Sequence, residues 1–481
     1  MNLDYLLVPF TYQEEQPMLF HHGIFLFLFA NVLVFYGLLT KHRKGQNWLL
    51  IIFSAYFYYK SSGLYFFLLL TTISSDYLFS ILINRSTKYK WLLTFLGILF
   101  SLSFLIYYKY VGFIVESIGF SSDELGVNNL FLPIGISFYT FQSISYLVDV
   151  YRQKIQIPKF QHYLLYMTFF PHLIAGPIVR AKDFLPQMNK KLSLSKSNLN
   201  EGLYLITKGL IKKVIIADYM AQYVDIIYSA PSGSNGLESL VATLCYTLQI
   251  FCDFSGYTDM AIGIALLLGY KLCLNFDSPY KSTSITEFWR RWHISLSSWL
   301  KDFIYIPLGG NQKGPYLQLV LIMVTMIIGG FWHGADWKFI WWGVGHGFIL
   351  VIHKLFSKFI PTLNSKVWDK ISWLLTFFTV SLLWIPFRAA STNDSITIFK
   401  NIFTKLNFNG LGNLFLQNSL LMSLLILGYA STLLHQQWKD RMKTWYTKES
   451  ILIKALILIV IIQCMFQIQS ESVQPFIYFQ F

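Results

Sequence analysis

The sequence predicts an all-α polytopic membrane protein, and three observations carry that expectation. Charged residues make up only 13% of the 481 and hydrophobic residues 54%, where a soluble chain carries roughly 25% charged residues. Apolar stretches of about 17–25 residues, long enough to cross a bilayer as helices, recur along the chain. The basic residues fall mostly in short loops between those stretches, where the positive-inside bias places them. The net charge of +14 is therefore no sign of nucleic-acid binding, since no Lys/Arg stripe alternates with exposed aromatics. No long polar segment could fold separately. Residues 1–481 are expected to form a single membrane domain, with a core over 85–360 and an aromatic tail over 470–481.

The first apolar run, residues 18–39, is followed by Lys41, Arg43 and Lys44, which places that loop in the cytoplasm and the N-terminus outside. Runs at 47–59 and 64–83 lead to a second basic loop with Arg85, Lys88 and Lys90. Residues 91–108 then reach an outer loop with Asp123 and Glu124, and 130–150 return to Arg152, Lys154 and Lys159. The next segment, 160–177, is apolar but short, holds Pro171 and Pro177, and has basic loops at both ends. Two cytoplasmic flanks cannot bracket one crossing, so this segment reads as a re-entrant hairpin with His172 at its tip.

Runs at 203–228 and 238–268 enclose an outer Ser/Gly-rich loop and lead to a basic cytoplasmic stretch, 269–315. There Ser284 and Glu287 form a capping box that starts a helix. Trp289, Trp292, Leu296, Trp299, Leu300 and Phe303 fall on one helical stripe, which predicts an amphipathic helix lying in the interface. Later runs at 316–332, 338–356, 371–387, 414–434 and 451–468 alternate sides, with Lys354, Lys358, Lys439, Arg441 and Lys443 marking cytoplasmic loops. The sum is about twelve crossings with both termini outside. Lys400 and Lys405, on an outer loop, run against the rule. No removed signal peptide is expected, because no basic segment precedes the first apolar run and no small-residue cleavage site follows it. Cys245, Cys252, Cys273 and Cys464 lack metal or redox spacing, and no metal is expected.

The ionisable residues at membrane depth are the candidate site. His333 ends an apolar run, after Gly329 and Gly330 and before Gly334. An ionisable side chain there is expensive and points to function, and imidazole takes and returns protons near neutral pH. The plain alternative is a tight helix corner whose histidine satisfies a carbonyl. His346, on the next run, is favoured as packing, with a place beside His333 across the turn as the functional alternative. His293, beside the aromatic stripe, is either an interfacial ring or the partner of His333. His172 carries the same ambiguity. Asp253 and Asp259 sit in an apolar stretch, where hydrogen bonding inside the protein is favoured over tunnel lining. The glycine-rich loop at 308–314 lacks P-loop spacing and reads as a turn.

Five stretches, in order, resemble the bacterial membrane-bound O-acyltransferases (MBOAT), in the AlgI/PatA-like polysaccharide O-acetylation branch. They are LPIGISFYTFQSISYLVDVYR from Leu132, FFPHLIAGPIVR from Phe169, CDFSGYTDMAIG from Cys252, SITEFWRRWHISLSSWL from Ser284 and GGFWHGADW from Gly329. The resemblance implies a ring of tilted helices around a thin core, with a central tunnel where a cytoplasmic donor meets an outer acceptor. It makes His333 the essential catalytic histidine and His293 the second polar position of the site. The tail from Pro475 to Phe481 is similar to the aromatic C-terminus of the accessory peptide of D-alanylation systems, so Tyr478 is either an acyl relay or a membrane-belt anchor.

The expected function is transfer of an acetyl group from a cytoplasmic thioester, with acetyl-CoA the expected donor substrate, for O-acetylation of a surface or periplasmic polysaccharide such as an alginate-like polymer or peptidoglycan. No tightly bound cofactor is expected. The expected setting is the bacterial inner membrane, in contact with lipid, with a periplasmic SGNH-type transferase as partner. The rivals are D-alanyl transfer to teichoic acid and a permease or flippase without acyl chemistry.

Overall fold

The computed structural model describes residues 11–13, 17–127, 130–188, 195–357 and 365–468. Tyr478 and the aromatic tail lie outside the described residues. The described chain is built of helices joined by short turns, with no strand among those residues. Six helical spans are long and apolar enough to cross a bilayer: Arg43–Arg85, Lys90–Ser117, Gly236–Leu267, Pro315–His333, Trp337–Phe356 and Lys366–Arg388. In five of them only 22–33% of the most apolar stretch is buried, leaving apolar side chains directed outward as lipid requires. In Gly236–Leu267 the figure is 94%, so this helix is enclosed by protein.

The expected count of about twelve crossings is not met by helices of full length among the described residues. The shortfall has local causes. The run at 414–434 is broken at Asn418, where Phe408–Gln417 and Ser419–Leu433 meet at 102°, and the pair amounts to at most one further span. Gly23–Leu38 and Ile451–Cys464 are apolar but shorter. The run at 203–228 is interrupted by a π-helical stretch, Ile211–Ala217, that carries Lys212 and Lys213.

The chain divides into two compact units. One holds residues up to Ile206 together with Thr258–Cys273; the other holds Thr207–Tyr257 and Leu274 onward. In the first unit, Arg43–Ser62 ends at Gly63, whose φ of +58° suits glycine, and Phe66–Arg85 follows after a single tight turn. Residues 160–177 form two short helices, Phe160–Thr168 and Phe170–Leu173, almost wholly buried. Nine helical residues span only about 14 Å at about 1.5 Å each, well short of a hydrocarbon core of about 30 Å. The tip packs on Gly135, the residue before Ile136–Tyr151. A Cβ on Gly135 would lie 2.7 Å from the Leu173 carbonyl oxygen, so the stretches from Leu132 and from Phe169 meet at a glycine contact. Deep in this unit Asp76 is fully buried and accepts hydrogen bonds from Ser101 Oγ (3.0 Å) and Tyr163 Oη (3.1 Å).

In the second unit, Pro315–His333 and Trp337–Phe356 form a helical hairpin, and Trp337–Phe356 packs on Lys366–Arg388. Glycine makes the hairpin close. A Cβ on Gly330 would meet the Phe339 carbonyl oxygen at 2.2 Å, and one on Gly343 would meet that of Met326 at 2.5 Å. Asp336 caps the second helix through its Oδ1 and Lys338 N–H, 2.9 Å.

The short buried helices at 160–177 give a topological expectation. Single cysteines placed at Lys159 and at Lys182 are labelled by a membrane-impermeant reagent from the same side, the cytoplasm. Labelling from opposite sides means that the segment crosses.

Candidate active site

The stretch at 284–305 starts as expected. Ser284 Oγ accepts from Glu287 N–H (3.2 Å), and Glu287 Oε2 accepts from Thr283 N–H (2.8 Å). It does not continue as one amphipathic helix. Ile285–Arg291 stops at Trp292, His293 takes a left-handed φ of +40°, and a second helix runs Ile294–Leu300. A non-glycine residue held there costs of order 1–3 kcal/mol, and such strain clusters at functional sites. What holds the break is Asn275, which is fully buried. Its backbone carbonyl accepts from Ile294 N–H (2.9 Å), and its Oδ1 accepts from Ser295 N–H (3.2 Å) and Ser295 Oγ–H (2.8 Å). The stripe expected to face lipid is instead turned inward: Trp292, Leu296, Trp299 and Leu300 are buried.

The same network orients His293. With Asn275 Oδ1 already an acceptor, His293 Nδ1 at 3.1 Å donates to it, and the lone pair lies on Nε2. The longer approach of Leu296 N–H to Nδ1, 3.4 Å, is the lesser contact. The ring is fully buried, and burial pushes its pKa down to about 3, so it is a neutral base at physiological pH. It does not point to the headgroups.

His333 is 4% exposed at the end of Pro315–His333. Its ring lies among Trp332 (5.0 Å between centroids), Trp342 (5.1 Å) and Phe387 (5.1 Å), each near edge-on. The Trp332 ring in turn lies 5.9 Å from His293. The two histidines thus both pack against one indole within a single unit. His346 is fully buried, 4.7 Å from Trp342, and its Nδ1 accepts from Trp289 Nε1–H at 3.3 Å. That bond makes it a packed member of the same aromatic wall. Trp384 closes the wall against Trp292 (4.9 Å) and Trp342 (5.7 Å).

Asp253 has a partner that the motifs did not name. Lys213 Nζ lies 3.0 Å from Asp253 Oδ1 and 2.9 Å from Asp218 Oδ1, with the lysine side chain 2% exposed. Glycine again permits the approach, since a Cβ on Gly256 would meet the Gly209 carbonyl oxygen at 2.8 Å and Lys213 N at 3.1 Å. A lysine in an apolar run was the available signal, because such a charge must pair within the protein. Asn275 offered no comparable signal. Asp259 is half-buried and belongs, with His172, to the first unit. There His172 Nε2 binds the Tyr166 carbonyl oxygen (2.8 Å) and its ring packs on Phe169 and Phe184. The loop at 308–314 is a turn in which Gly309, Gly310 and Gly314 have positive φ. Among the described residues, no cluster of His, Cys, Asp and Glu could hold a metal ion.

The described helices define a polytopic membrane protein that buries two histidines, His293 and His333, against one tryptophan, Trp332. The chain belongs to the membrane-bound O-acyltransferase family, MBOAT, which it matches over residues 11–393, and it is an O-acyltransferase. It is 34% identical to a probable alginate O-acetylase AlgI of Pseudomonas putida, over 96% of this chain and 100% of the relative. It is 35% identical to a peptidoglycan O-acetyltransferase of Helicobacter pylori, over 80% of each chain. A teichoic acid D-alanyltransferase of Streptococcus thermophilus is 29% identical over 54% of this chain and 69% of its own length.

The lysine bridge yields a prediction about stability. Lys213→Met leaves two carboxylates near each other without their shared cation, and removing one partner of a buried pair costs about 3–5 kcal/mol. The detergent-purified variant is expected to unfold at a clearly lower temperature than wild type, and Lys213→Met with Asp253→Asn to regain part of the loss. An unchanged unfolding temperature for Lys213→Met contradicts the bridge.

Proposed function

We propose that this protein moves an acetyl group from cytoplasmic acetyl-CoA to a hydroxyl at the outer face of the bacterial cytoplasmic membrane, for O-acetylation of a surface or periplasmic polysaccharide. The observation that carries this reading is the pair of buried histidines, His293 and His333, both packed against Trp332. His333 removes the proton from the acceptor hydroxyl as its oxygen attacks the thioester carbonyl. The new C–O bond forms, the C–S bond breaks, and the proton returns to the departing thiolate of coenzyme A. A base of this kind contributes about 10²–10⁴-fold. Aromatic walls around His333 keep competing water away, which favours transfer over hydrolysis. His293, neutral and fixed through Asn275, presents its Nε2 lone pair as a second acceptor for a proton or a polar group of the substrates.

Acetyl rather than D-alanyl transfer is supported by the relatives. Those named for O-acetylation match at 34–36% identity over 80–96% of this chain, whereas the D-alanyltransferase of Streptococcus thermophilus matches 54% of it. Delivery to the polymer is assigned to a periplasmic SGNH-type transferase, on the family resemblance.

Replacing His333 tests this reading against a permease. His333→Ala is expected to insert and accumulate as wild type does while O-acetyl content of the polymer falls at least about 10²-fold. Wild-type acetyl content in that variant contradicts acyl chemistry at His333.

A further inference from the structure

His346 has no task in the reaction so far described, yet it is fully buried in an apolar span, where an ionisable side chain is expensive. Its tautomer follows from Trp289. An indole N–H can only donate, so His346 Nδ1, 3.3 Å from Trp289 Nε1, presents a lone pair, and the neutral ring carries its proton on Nε2. Among the described residues that Nε2–H meets no acceptor. Trp342 stands four residues earlier on Trp337–Phe356 and therefore on the same helical face. It too is fully buried, and its Nε1–H meets no acceptor among the described residues. Other indoles of this unit are satisfied: Trp289 donates to His346, and Trp373 donates to the Tyr280 carbonyl oxygen at 2.8 Å.

A packing role accounts for the rings and leaves their two protons over. The His346 and Trp342 rings lie 4.7 Å apart at 65°, but an N–H over a ring face recovers only part of a hydrogen bond. Inside a bilayer no water supplies the rest. Apolar side chains would fill the same space without burying a donor. The position is also specific. Trp342 lies against His333 (5.1 Å between centroids) as well as against His346, and all three rings belong to the second unit. Glycine fixes the helix of both donors against the helix of His333. A Cβ on Gly343 would meet the Met326 carbonyl oxygen at 2.5 Å, and one on Gly347 would meet Met323 Sδ at 2.8 Å. Fixed N–H donors near a general base are what acyl transfer requires for the charge that develops on the carbonyl oxygen.

We propose that His346 Nε2–H and Trp342 Nε1–H form the oxyanion site of the acetyl transfer, which makes His346 a catalytic residue as well as part of the aromatic wall. This deepens the acyl-transfer reading and rests on it. As the acceptor oxygen attacks the thioester carbonyl, a C–O bond forms and the carbonyl π pair moves onto the carbonyl oxygen. The two N–H groups hold that oxyanion while His333 takes the acceptor's proton. The π bond then re-forms, the C–S bond breaks, and the thiolate leaves with the bonding pair and receives the proton from His333. No proton moves at His346, whose Nδ1 stays engaged with Trp289.

Exchanging the carbonyl oxygen for sulfur, a poor hydrogen-bond acceptor, separates an oxyanion contact from packing. Inside-out membrane vesicles expose the cytoplasmic face to added donor and retain the cell's own acceptor. The readout is release of coenzyme A thiol above that of His333→Ala vesicles, from acetyl-CoA and from its dithioester analogue dithioacetyl-CoA. His346→Leu is expected to slow release from acetyl-CoA by about 10²-fold and to slow the dithioester far less, lowering the ratio of the two rates by about tenfold or more. His346→Gln, whose amide can accept from Trp289 and still donate, is expected to restore most of the rate. Trp342→Phe keeps a ring and is expected to lower the same ratio, and it decides the question if His346→Leu fails to accumulate. Rates that fall together at the wild-type ratio show packing alone and overturn the proposal, as does a wild-type rate in His346→Leu. Wild-type vesicles that release no coenzyme A from acetyl-CoA above the His333→Ala background overturn the acetyl-donor reading, and this site with it.

Discussion

Inside a bilayer no water is available to a polar atom, so each one must find its partner within the protein. The arrangement of both units follows from that constraint. Asp76 is held by Ser101 and Tyr163, and Lys213 is held between Asp218 and Asp253. The break at His293 exposes backbone and side-chain groups that a continuous helix would have satisfied, and Asn275 takes them up. Glycine supplies the other half of the arrangement. At Gly135, Gly256, Gly330 and Gly343 a Cβ would strike backbone, so these contacts draw helices close enough for short polar side chains to reach each other.

The same constraint determined what could be read from the chain alone. Apolar runs, the capping box at Ser284 and the depth of His333 are local properties, and each is visible in a short window. That 160–177 is not an ordinary full-length span was legible because it combines short length, proline and flanking charge, and the structure gives it two short buried helices. The break at His293 was not legible. The stripe from Trp289 to Phe303 fits a 3.6-residue period, and nothing in it reveals that Asn275, eighteen residues earlier, stabilises a left-handed turn. Nor did periodicity reveal that the stripe is buried, since an inward face and a lipid face are both apolar. The crossing count exceeded the full-length spans for a related reason: hydropathy does not register the 102° bend at Asn418 or the π-helical stretch around Lys213. The partner of Asp253 lay forty residues away in an unmarked run, although its charge was a usable clue.

Around the histidines, aromatic area replaces a polar lining. Trp292, Trp332, Trp342, Trp384 and Phe387 pack into one wall around the buried imidazoles of His333 and His346. Such a wall suits acyl transfer, which is lost to hydrolysis if water enters. It also holds the two rings by different means: glycine-packed helices present His333, and a strained turn presents His293.

The central claim is that His293 and His333 act as one unit across Trp332. The most direct test is a double-mutant cycle on the initial rate of acetyl transfer from acetyl-CoA by purified protein, comparing His293→Ala, His333→Ala and the double variant. Groups acting as a unit are strongly non-additive, so the double variant is predicted to be no slower than the slower single variant. Losses that multiply would show two independent contributions and contradict the paired site.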